Sequence, residues 1–139
     1  MNDRVISDVL RRTQRIALVG ATDREDRPAY GVMKFLLNHG YDVVPVSPKL
    51  AGKTLLGQQA YAALADIPGH VDMVDVFRNA EAAYGVAQEA IAIGADTLWL
   101  QLGIINEQAA ALAEEAGLTV VMDHCPKIDI PRLAIPLKR

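Results

Sequence analysis

The sequence lacks the features that mark secreted, membrane or nucleic-acid-binding proteins. It has one cysteine, Cys125, in 139 residues, so no disulfide can form within the chain, and a lone thiol is typical of a reducing compartment. No apolar run approaches the ~20 residues of a membrane span, and the amino-terminal segment has no apolar core of a signal peptide. The net charge of −3 argues against a general nucleic-acid-binding surface, which usually carries a basic excess. We therefore expect a cytoplasmic protein that binds neither membranes nor nucleic acids.

What the sequence does have is a regular alternation of apolar runs and helical patterns. Short, continuously apolar runs indicate strands that are buried on both faces, as in a parallel sheet. The runs are Ile16–Val19, Val43–Val46, Met73–Phe77, Leu98–Leu102 and Leu118–Met122. Segments with helical character lie before and between them, at Val5–Arg12, Tyr30–His39, Tyr61–Leu64, Ala80–Ile93 and Glu107–Ala116. Residues 1–139 are therefore predicted to form one Rossmann-like, three-layer α/β/α domain with right-handed crossovers.

The last stretch of the chain predicts a different kind of structure. Pro131 and Pro136 follow Pro126 within a few residues, which argues against a long helix. We expect an extended segment from Pro126 onward that packs on the body of the domain or on a second copy. The sequence is compatible with a monomer or a weak homodimer, and it identifies no protein partner.

The loop after the first strand is the most informative candidate for a ligand site, because open parallel sheets bind ligands at the carboxyl ends of their strands. Gly20 follows the strand directly, so the backbone can turn tightly there and approach a ligand. The dinucleotide fingerprint G-x-G-x-x-G is absent, since Ala21 and Thr22 follow Gly20 and the next glycine is Gly31. Amides of this loop and of the next helix can still hold an anion. The alternative is a plain strand-to-helix turn.

The end of the second strand carries basic residues and no carboxylate. NAD enzymes usually have an acidic residue there that binds a ribose hydroxyl, whereas here Ser47 is followed by Lys49 and Lys53. This favours a ligand with an extra ribose phosphate, such as NADP or coenzyme A (CoA). The alternative for each lysine is ordinary solvated loop charge.

Arginines add positive charge near the same edge of the predicted sheet, at Arg24, Arg27 and Arg78. The guanidinium group can bind a phosphate through two parallel hydrogen bonds. Arg78 follows a buried run directly, and Phe77 before it offers a wall for an adenine ring. The alternative for Phe77 is a core residue at the end of the sheet.

Cys125 invites a catalytic interpretation because His124 precedes it. Adjacent residues of an extended chain point to opposite sides, so the two do not form a natural dyad. With Asp123 they also do not match the spacing of a zinc site. We therefore expect a buried structural thiol, with neither a catalytic residue nor a metal site. The alternative is an acyl-transfer or redox enzyme that uses Cys125.

An ordered set of stretches along nearly the whole chain resembles the small stand-alone CoA-binding proteins. The stretches are Val19–Thr22, Arg27-Pro28, Gly40–Lys49, Val71–Arg78, Leu98–Gly103, Asn106-Glu107 and Ala116–Asp123. Each motif alone is weak, whereas the ordered set is specific. That family is similar to the N-terminal, CoA-binding domain of the succinyl-CoA synthetase α subunit.

The resemblance implies a five-stranded parallel sheet in the order 3-2-1-4-5 and a CoA nucleotide bound at the strand ends. By position it implies binding roles, with Arg24 and Arg27 placed nearby, for Gly20, Ala21, Thr22, Ser47, Lys49, Lys53, Phe77 and Arg78. The synthetase carries its phosphoryl group on a histidine of a second domain, which we do not expect here, so its reaction is not carried over. The family commonly has an arginine where this chain has His124.

These features together favour a non-catalytic protein that binds CoA or acyl-CoA as a small-molecule ligand. Two alternatives stay open. An NADP-dependent oxidoreductase would share the fold and the basic loop after strand two. A thiol enzyme would instead use Cys125.

Overall fold

The short apolar runs form strands, and the segments with helical spacing form the helices that cover them. The computed structural model describes residues 2–138. In chain order its elements are α1 (Asp3–Arg12), β1 (Arg15–Val19), α2 (Pro28–Asn38), β2 (Asp42–Val46), β3 (Thr54–Leu55), β4 (Gln58–Gln59), a 3₁₀ turn (Leu64–Asp66), β5 (Met73–Val76), α3 (Ala80–Ala92), β6 (Thr97–Leu100), α4 (Glu107–Glu115), β7 (Thr119–Met122) and α5 (Pro126–Arg132). None of the helices within this part of the chain is long and apolar enough to cross a membrane.

The main sheet is parallel throughout, and its five strands lie in the order β2-β1-β5-β6-β7. The Rossmann-like α/β class is confirmed. Counted along the chain, however, the strands of this sheet lie in the order 2-1-3-4-5, so the expected order 3-2-1-4-5 is wrong. From β1 the chain first continues to β2 on one side, and the later strands, beginning with β5, are added on the other side. The switch point of the sheet therefore lies between β1 and β5.

The segment after β2 returns to the outer edge of that strand. Tyr61 forms a parallel bridge to Val46, in which its amide donates to Pro45 O at 3.0 Å and its carbonyl accepts from the Ser47 amide at 2.9 Å. The outer edge of β2 is therefore covered near its carboxyl end, whereas the third main strand, β5, pairs with β1. The helical piece predicted for 61–64 is also wrong at its start, because Tyr61 is bridged and the 3₁₀ turn begins at Leu64.

Two apolar cores lie on opposite faces of the sheet. α1, α2 and α5 cover one face, and α3, α4 and the 3₁₀ turn cover the other. Successive strand residues face opposite cores, as Leu18 and Val19 of β1 do. Met73 of β5 belongs to the first core, so alternation directs Asp75, two residues on, to the same face. The sheet is thus covered on both sides, which leaves its carboxyl edge free to form a site.

Asparagine side chains begin the helices that lead away from the carboxyl edge on the second face. Asn79 Oδ1 accepts from the Ala82 amide at 2.8 Å, and Asn106 Oδ1 accepts from the Ala109 amide at 2.9 Å. Each bond satisfies an amide of the first turn that has no partner within the helix. α3 and α4 therefore begin at defined positions beside the ends of β5 and β6.

The expectation of an extended tail is wrong for Pro126–Arg132, which form α5. Pro126 occupies the first turn, where a missing N–H costs nothing because that amide has no helical partner. Pro131 removes a single hydrogen bond to the preceding turn, which a short helix tolerates. The helix ends at Arg132; Ala134 beyond it has a left-handed φ of 54°, and the Ile135 amide donates to Ile130 O at 3.0 Å.

The C-terminal residues are tied to the start of the chain and to the end of α2. Arg132 donates to Asp129 at 2.9 Å and reaches Asp3 of α1 at 3.0 Å. Further on, the Lys138 amide donates to His39 O at 2.8 Å. A Cβ on Gly40 would lie 2.2 Å from Lys138 O, so a side chain at that position would displace the last described residues.

Candidate functional site

A cleft of about 1110 Å³ opens at the carboxyl ends of the strands, across the switch point between β1 and β5. The loops after β1, β2, β5 and β6 line it, together with the N-terminus of α2 and Cys125 after β7. Small-molecule sites typically enclose about 300–1,000 Å³, so this cleft has room for a large ligand such as a nucleotide with an extended arm. Open sheets of this class bind their ligands at this position.

Gly20 shapes the floor of the cleft where β1 ends. Its φ is +93°, and a Cβ there would lie 2.5 Å from Phe77 O. Its amide donates to Val46 O at 3.1 Å. The sequence suggests that this glycine lets the backbone approach a ligand, whereas the close neighbour in the structure is the backbone of the third strand end. Gly20 thus allows the ends of β1, β2 and β5 to converge beneath the cleft.

The rest of the first loop leads into α2 through a turn without a capping side chain. Thr22 Oγ1 accepts from the Arg24 amide at 3.1 Å, which fixes the start of the turn. Arg27 precedes α2 in an extended conformation, and its side chain makes no capping hydrogen bond. Pro28 has no N–H, and the Tyr30 amide donates to Arg27 O at 3.1 Å, so the Ala29 amide is the group of this first turn that can bind solvent or an anionic ligand.

The loop after β2 holds a buried hydroxyl beside an exposed lysine. The Ser47 amide donates to Tyr61 O at 2.9 Å, and Ser47 Oγ accepts from the Lys49 amide at 3.3 Å. Ser47 is buried and Lys49 is exposed. The cleft is thus lined here by a buried serine and an exposed lysine two residues apart.

The cleft is positively charged although the chain as a whole carries a net charge of −3. Its lining contains four cationic side chains against one carboxylate, that of Glu89. The cations are Arg24, Arg27, Lys49 and Arg78. Among residues 2–138, the only ion-pair partner of these four is Asp26, which lies 3.7 Å from Arg24. Cations without intramolecular partners on a concave surface attract an anionic ligand.

Nine of the ten residues that the sequence singled out line this cleft. They are Gly20, Ala21, Thr22, Arg24, Arg27, Ser47, Lys49, Phe77 and Arg78. Lys53 is the exception and is absent from the lining. It lies before β3 in a hairpin, where its amide donates to Leu50 O at 2.9 Å and its carbonyl accepts from the Ala60 amide at 2.8 Å.

Three residues after β6 line the cleft without having been predicted to do so: Gln101, Leu102 and Ile104. Gln101 is only 5% exposed, and its Oε1 has no hydrogen-bond partner among residues 2–138. Buried polar atoms of this kind are rare, since most have a partner. The signal in the sequence was an amide inside an otherwise apolar run at a strand end.

Cys125 also lines the cleft, and the loops after β6 and β7 are tied together beside it. Asp123 adopts a left-handed φ of 62° and accepts from the Gly103 amide at 2.7 Å. The Trp99 indole donates to His124 O at 2.9 Å. These contacts bend the chain at the end of β7 and bring the thiol to the same cleft as the residues after β6.

The side chain of His124 points to a different contact. Its Nδ1 lies 2.9 Å from Asp129 Oδ2, and Asp129 in turn binds Arg132. The imidazole is therefore part of the network that orders α5. No bond between His124 and the thiol of Cys125 occurs in the structure, so the arrangement does not form a nucleophile–base pair.

Behind the cleft, β5 carries a buried carboxyl group that makes no hydrogen bond within residues 2–138. Asp75 is fully buried, and neither of its oxygens has a hydrogen-bond partner among the described residues. Desolvation by burial raises the pKa of Asp75 well above its ordinary value of 3.8. Burial therefore disfavours the charged form of this carboxyl group beneath the cationic loops.

A possible metal-binding group lies at the opposite edge of the sheet. Asp72 and Asp96 precede β5 and β6, and together with His70 they place three ligand atoms within 4.8 Å of one another. His70 hydrogen-bonds Asp96 at 2.9 Å, which raises the pKa of the imidazole. This group is remote from the cleft and takes no part in it.

An open parallel sheet with helices on both faces and a cleft at its switch point defines the Rossmann-like class of α/β proteins. Residues 14–131 match the family model of the CoA binding domain. The chain belongs to this family.

Similar proteins cover almost the same length. Uncharacterized protein YneT of Bacillus subtilis (strain 168) is 41% identical over 123 residues, which is 88% of this chain and 90% of that protein. The structure of a hypothetical protein from Pyrococcus horikoshii OT3 matches with a TM-score of 0.90 and 39% identity, over 96% of this chain and 93% of the other. At 20% identity, the dinucleotide forming acetyl-coenzyme A synthetase 1 of Ca. Korarchaeum cryptofilum shares the fold over 84% of this chain and 27% of its own, with a TM-score of 0.71.

Proposed function

We propose that this protein binds CoA or acyl-CoA stoichiometrically in the cleft and does not catalyse a reaction on it. The observation that carries this proposal is the set of cleft cations, of which Arg27, Lys49 and Arg78 have no ion-pair partner among residues 2–138. Such groups are suited to a ligand with several phosphates. Membership in the CoA binding domain family supports CoA as that ligand.

The nucleotide half of CoA would occupy the loops after β1, β2 and β5. Phe77 is half-buried at the end of β5 and offers an apolar wall to the adenine. Lys49 and Ser47 after β2 would bind the phosphorylated ribose. The amides that follow Thr22, together with Arg27, would bind the pyrophosphate. The pantetheine arm would then run along the strand ends towards β6 and β7.

Calorimetric titration of the full chain with CoA tests the proposal. We expect binding by CoA at micromolar to millimolar concentrations, which corresponds to a free energy of about −4 to −8 kcal/mol. Dephospho-CoA, which lacks the ribose phosphate, should bind more weakly. NADPH has that phosphate and no pantetheine arm, so it should also bind more weakly. Absence of heat with CoA at about a millimolar would contradict the proposal.

Two lysine variants locate the ribose phosphate. Lys49→Ala should weaken CoA binding by about tenfold, the size of one hydrogen bond to a charged group, and should abolish the preference for CoA over dephospho-CoA. Lys53→Ala is the matched control, because Lys53 is an exposed lysine of the same loop that does not line the cleft. Equal losses in the two variants would show that the ribose phosphate lies further out, over the hairpin.

The proposed setting is the cytoplasm, where CoA is available and a free thiol stays reduced. We propose a monomer or a weak homodimer there, and sedimentation at several protein concentrations tests this. Because each copy has a complete set of cleft residues, binding should show one CoA per chain in either state.

A further inference from the structure

We infer that Cys125 captures CoA covalently, as a mixed disulfide between its thiol and the thiol of the bound cofactor. This inference rests on the proposed function, because the nucleotide must first occupy the other half of the cleft. The starting observation is that Cys125 lines the cleft although it is only 8% exposed. A thiol that bulk solvent barely reaches and that lines a binding cleft meets mainly the molecules that the cleft binds.

The position of the thiol matches the far end of the ligand. The cations and the buried serine belong to the loops after β1, β2 and β5, whereas Cys125 follows β7 at the other end of the sheet. Four interstrand steps separate β2 from β7, which at about 4.8 Å each is roughly 19 Å. A CoA whose phosphates lie at the cationic loops must extend its arm in this direction, because its thiol is at the end opposite the nucleotide.

Gln101 supplies the independent observation. Its Oε1 is buried and has no hydrogen-bond partner among residues 2–138, and it lies on the lining between the cationic loops and Cys125. An unpartnered buried acceptor is costly, and a ligand donor removes that cost. The pantetheine arm has two secondary amides, each with one N–H. After a rotation of its side chain towards the cleft, Gln101 would accept from one of them and so direct the arm towards the thiol.

The walls around this end of the cleft suit a thiol rather than a charged group. Leu102 and Ile104 line it, and all four cations of the lining lie on other loops. The imidazole of His124, the residue before Cys125, is bound to Asp129. This half of the cleft therefore accepts an uncharged chain end.

The chemistry is an exchange between a disulfide and a thiol. The Cys125 thiol loses its proton to solvent, and its sulfur attacks one sulfur of CoA disulfide. A new S–S bond forms between Cys125 Sγ and that CoA, the S–S bond of CoA disulfide breaks, and the second CoA leaves as a thiolate that takes a proton from solvent. One disulfide replaces another, so no further oxidant is needed. A reducing thiol reverses the step and releases CoA.

Intact mass spectrometry of the full chain tests the inference. Incubation with CoA disulfide should add one CoA per chain, and dithiothreitol should remove it. The rate should saturate with CoA disulfide and exceed that with oxidised glutathione by at least about tenfold, because bound sulfurs react as if within one molecule. Equal, non-saturating rates with both disulfides would overturn the inference, since they would show a merely accessible thiol.

Variants separate this inference from the proposed function. Cys125→Ser should lose the adduct and still bind reduced CoA in calorimetry, with Cys125→Ala as a second variant if the serine is destabilising. Gln101→Ala should slow adduct formation about fivefold, the size of one hydrogen bond, whereas Gln108→Ala, an exposed glutamine on α4, should not. CoA binding without an adduct in the natural chain would refute the disulfide alone. Absence of CoA binding would refute both proposals.

Discussion

Charged side chains are paired differently at the two ends of the main sheet, the amino edge where the strands begin and the carboxyl edge where they end. At the amino edge, charged groups have partners: Arg15 pairs with Asp42 at 3.3 Å, and His70 lies 3.4 Å from Asp72 and 2.9 Å from Asp96. At the carboxyl edge, most cations have no ion-pair partner within residues 2–138. The same sheet therefore neutralises its charges at one end and leaves them available at the other.

This difference separates stability from binding. Exposed ion pairs contribute about 0–1 kcal/mol each, so pairing at the amino edge is a modest structural device. Cations without partners contribute nothing to the fold, and several of them on one concave surface repel one another. Their arrangement makes sense when a ligand supplies the missing negative charge. Substitutions at each edge of the sheet, and at the buried carboxyl group between the two edges, test this comparison.

The largest expected effect concerns a glycine at each edge. Gly20→Ala should destabilise the chain by at least about 3 kcal/mol, because its Cβ would overlap Phe77 O and its φ is left-handed. Gly94→Ala, at the amino edge, has a φ of +72° with nothing within 4 Å of the new Cβ, so it should cost only about 1–2 kcal/mol. Urea unfolding of both variants measures the difference. Equal costs would mean that the strand ends are free to move apart.

The next effect concerns the carboxyl group between the two edges. In the unfolded chain Asp75 ionises near its ordinary pKa of 3.8, whereas burial raises the pKa in the folded chain. Above pH 4 the folded state therefore binds more protons, and the free energy of unfolding should fall by up to about 1.4 kcal/mol per pH unit until the folded pKa is passed. Asp75→Asn should remove this slope in urea unfolding at several pH values. Asp8→Asn, an exposed control on α1, should retain it.

A third effect compares one arginine from each edge. Arg78→Ala should weaken CoA binding by about tenfold, as expected for one hydrogen bond to a charged group, and should reduce the salt dependence of binding. Arg12→Ala removes a cation whose guanidinium donates to Thr119 Oγ1 at 2.9 Å at the start of β7, and it should leave CoA binding unchanged. Calorimetry at two salt concentrations measures both. If the two variants lose affinity equally, the field of the whole chain binds the ligand and the cleft does not.

The smallest effect lies at the amino edge. The hydrogen bond to Asp96 raises the pKa of His70, so its NMR titration should have a midpoint above 6.5. Asp96→Asn should lower that midpoint. Because the folded pKa is the higher one, the associated stability is present below pH 6.5 and is lost as the pH rises through the midpoint. An unchanged midpoint in the variant would show that the pairing is absent in solution.

Local patterns predicted most of the fold and much of the lining of the cleft. The apolar runs located the five main strands because buried parallel strands need continuous apolar sequence. The glycine and the basic residues at the strand ends were found because a parallel sheet gathers its carboxyl ends at one edge. α5 was missed because proline was taken to exclude a helix, whereas Pro126 lies where a helix accepts it.

The remaining features depend on long-range contacts that no local pattern encodes. The strand order depends on the pairing of β1 with β5, and the bridge between Tyr61 and Val46 joins residues on either side of a hairpin. Lys53 shares a loop with Lys49, and only the hairpin turns it out of the lining. Cys125 was interpreted as a structural thiol because its chain neighbours gave it no partner. The kink at Asp123 and the contact between Trp99 and His124 bring it to the cleft.

The link between Asp3 and Arg132 also bears on how the chain is made. α1 and α5 pack in the same core, so α1 waits for a helix that leaves the ribosome only after every strand of the main sheet. Domains generally fold as units during synthesis, at about 5–20 residues per second. The apolar face of α1 therefore stays uncovered for several seconds while the rest of the chain emerges. During that interval the nascent chain is the form most exposed to aggregation and to chaperones.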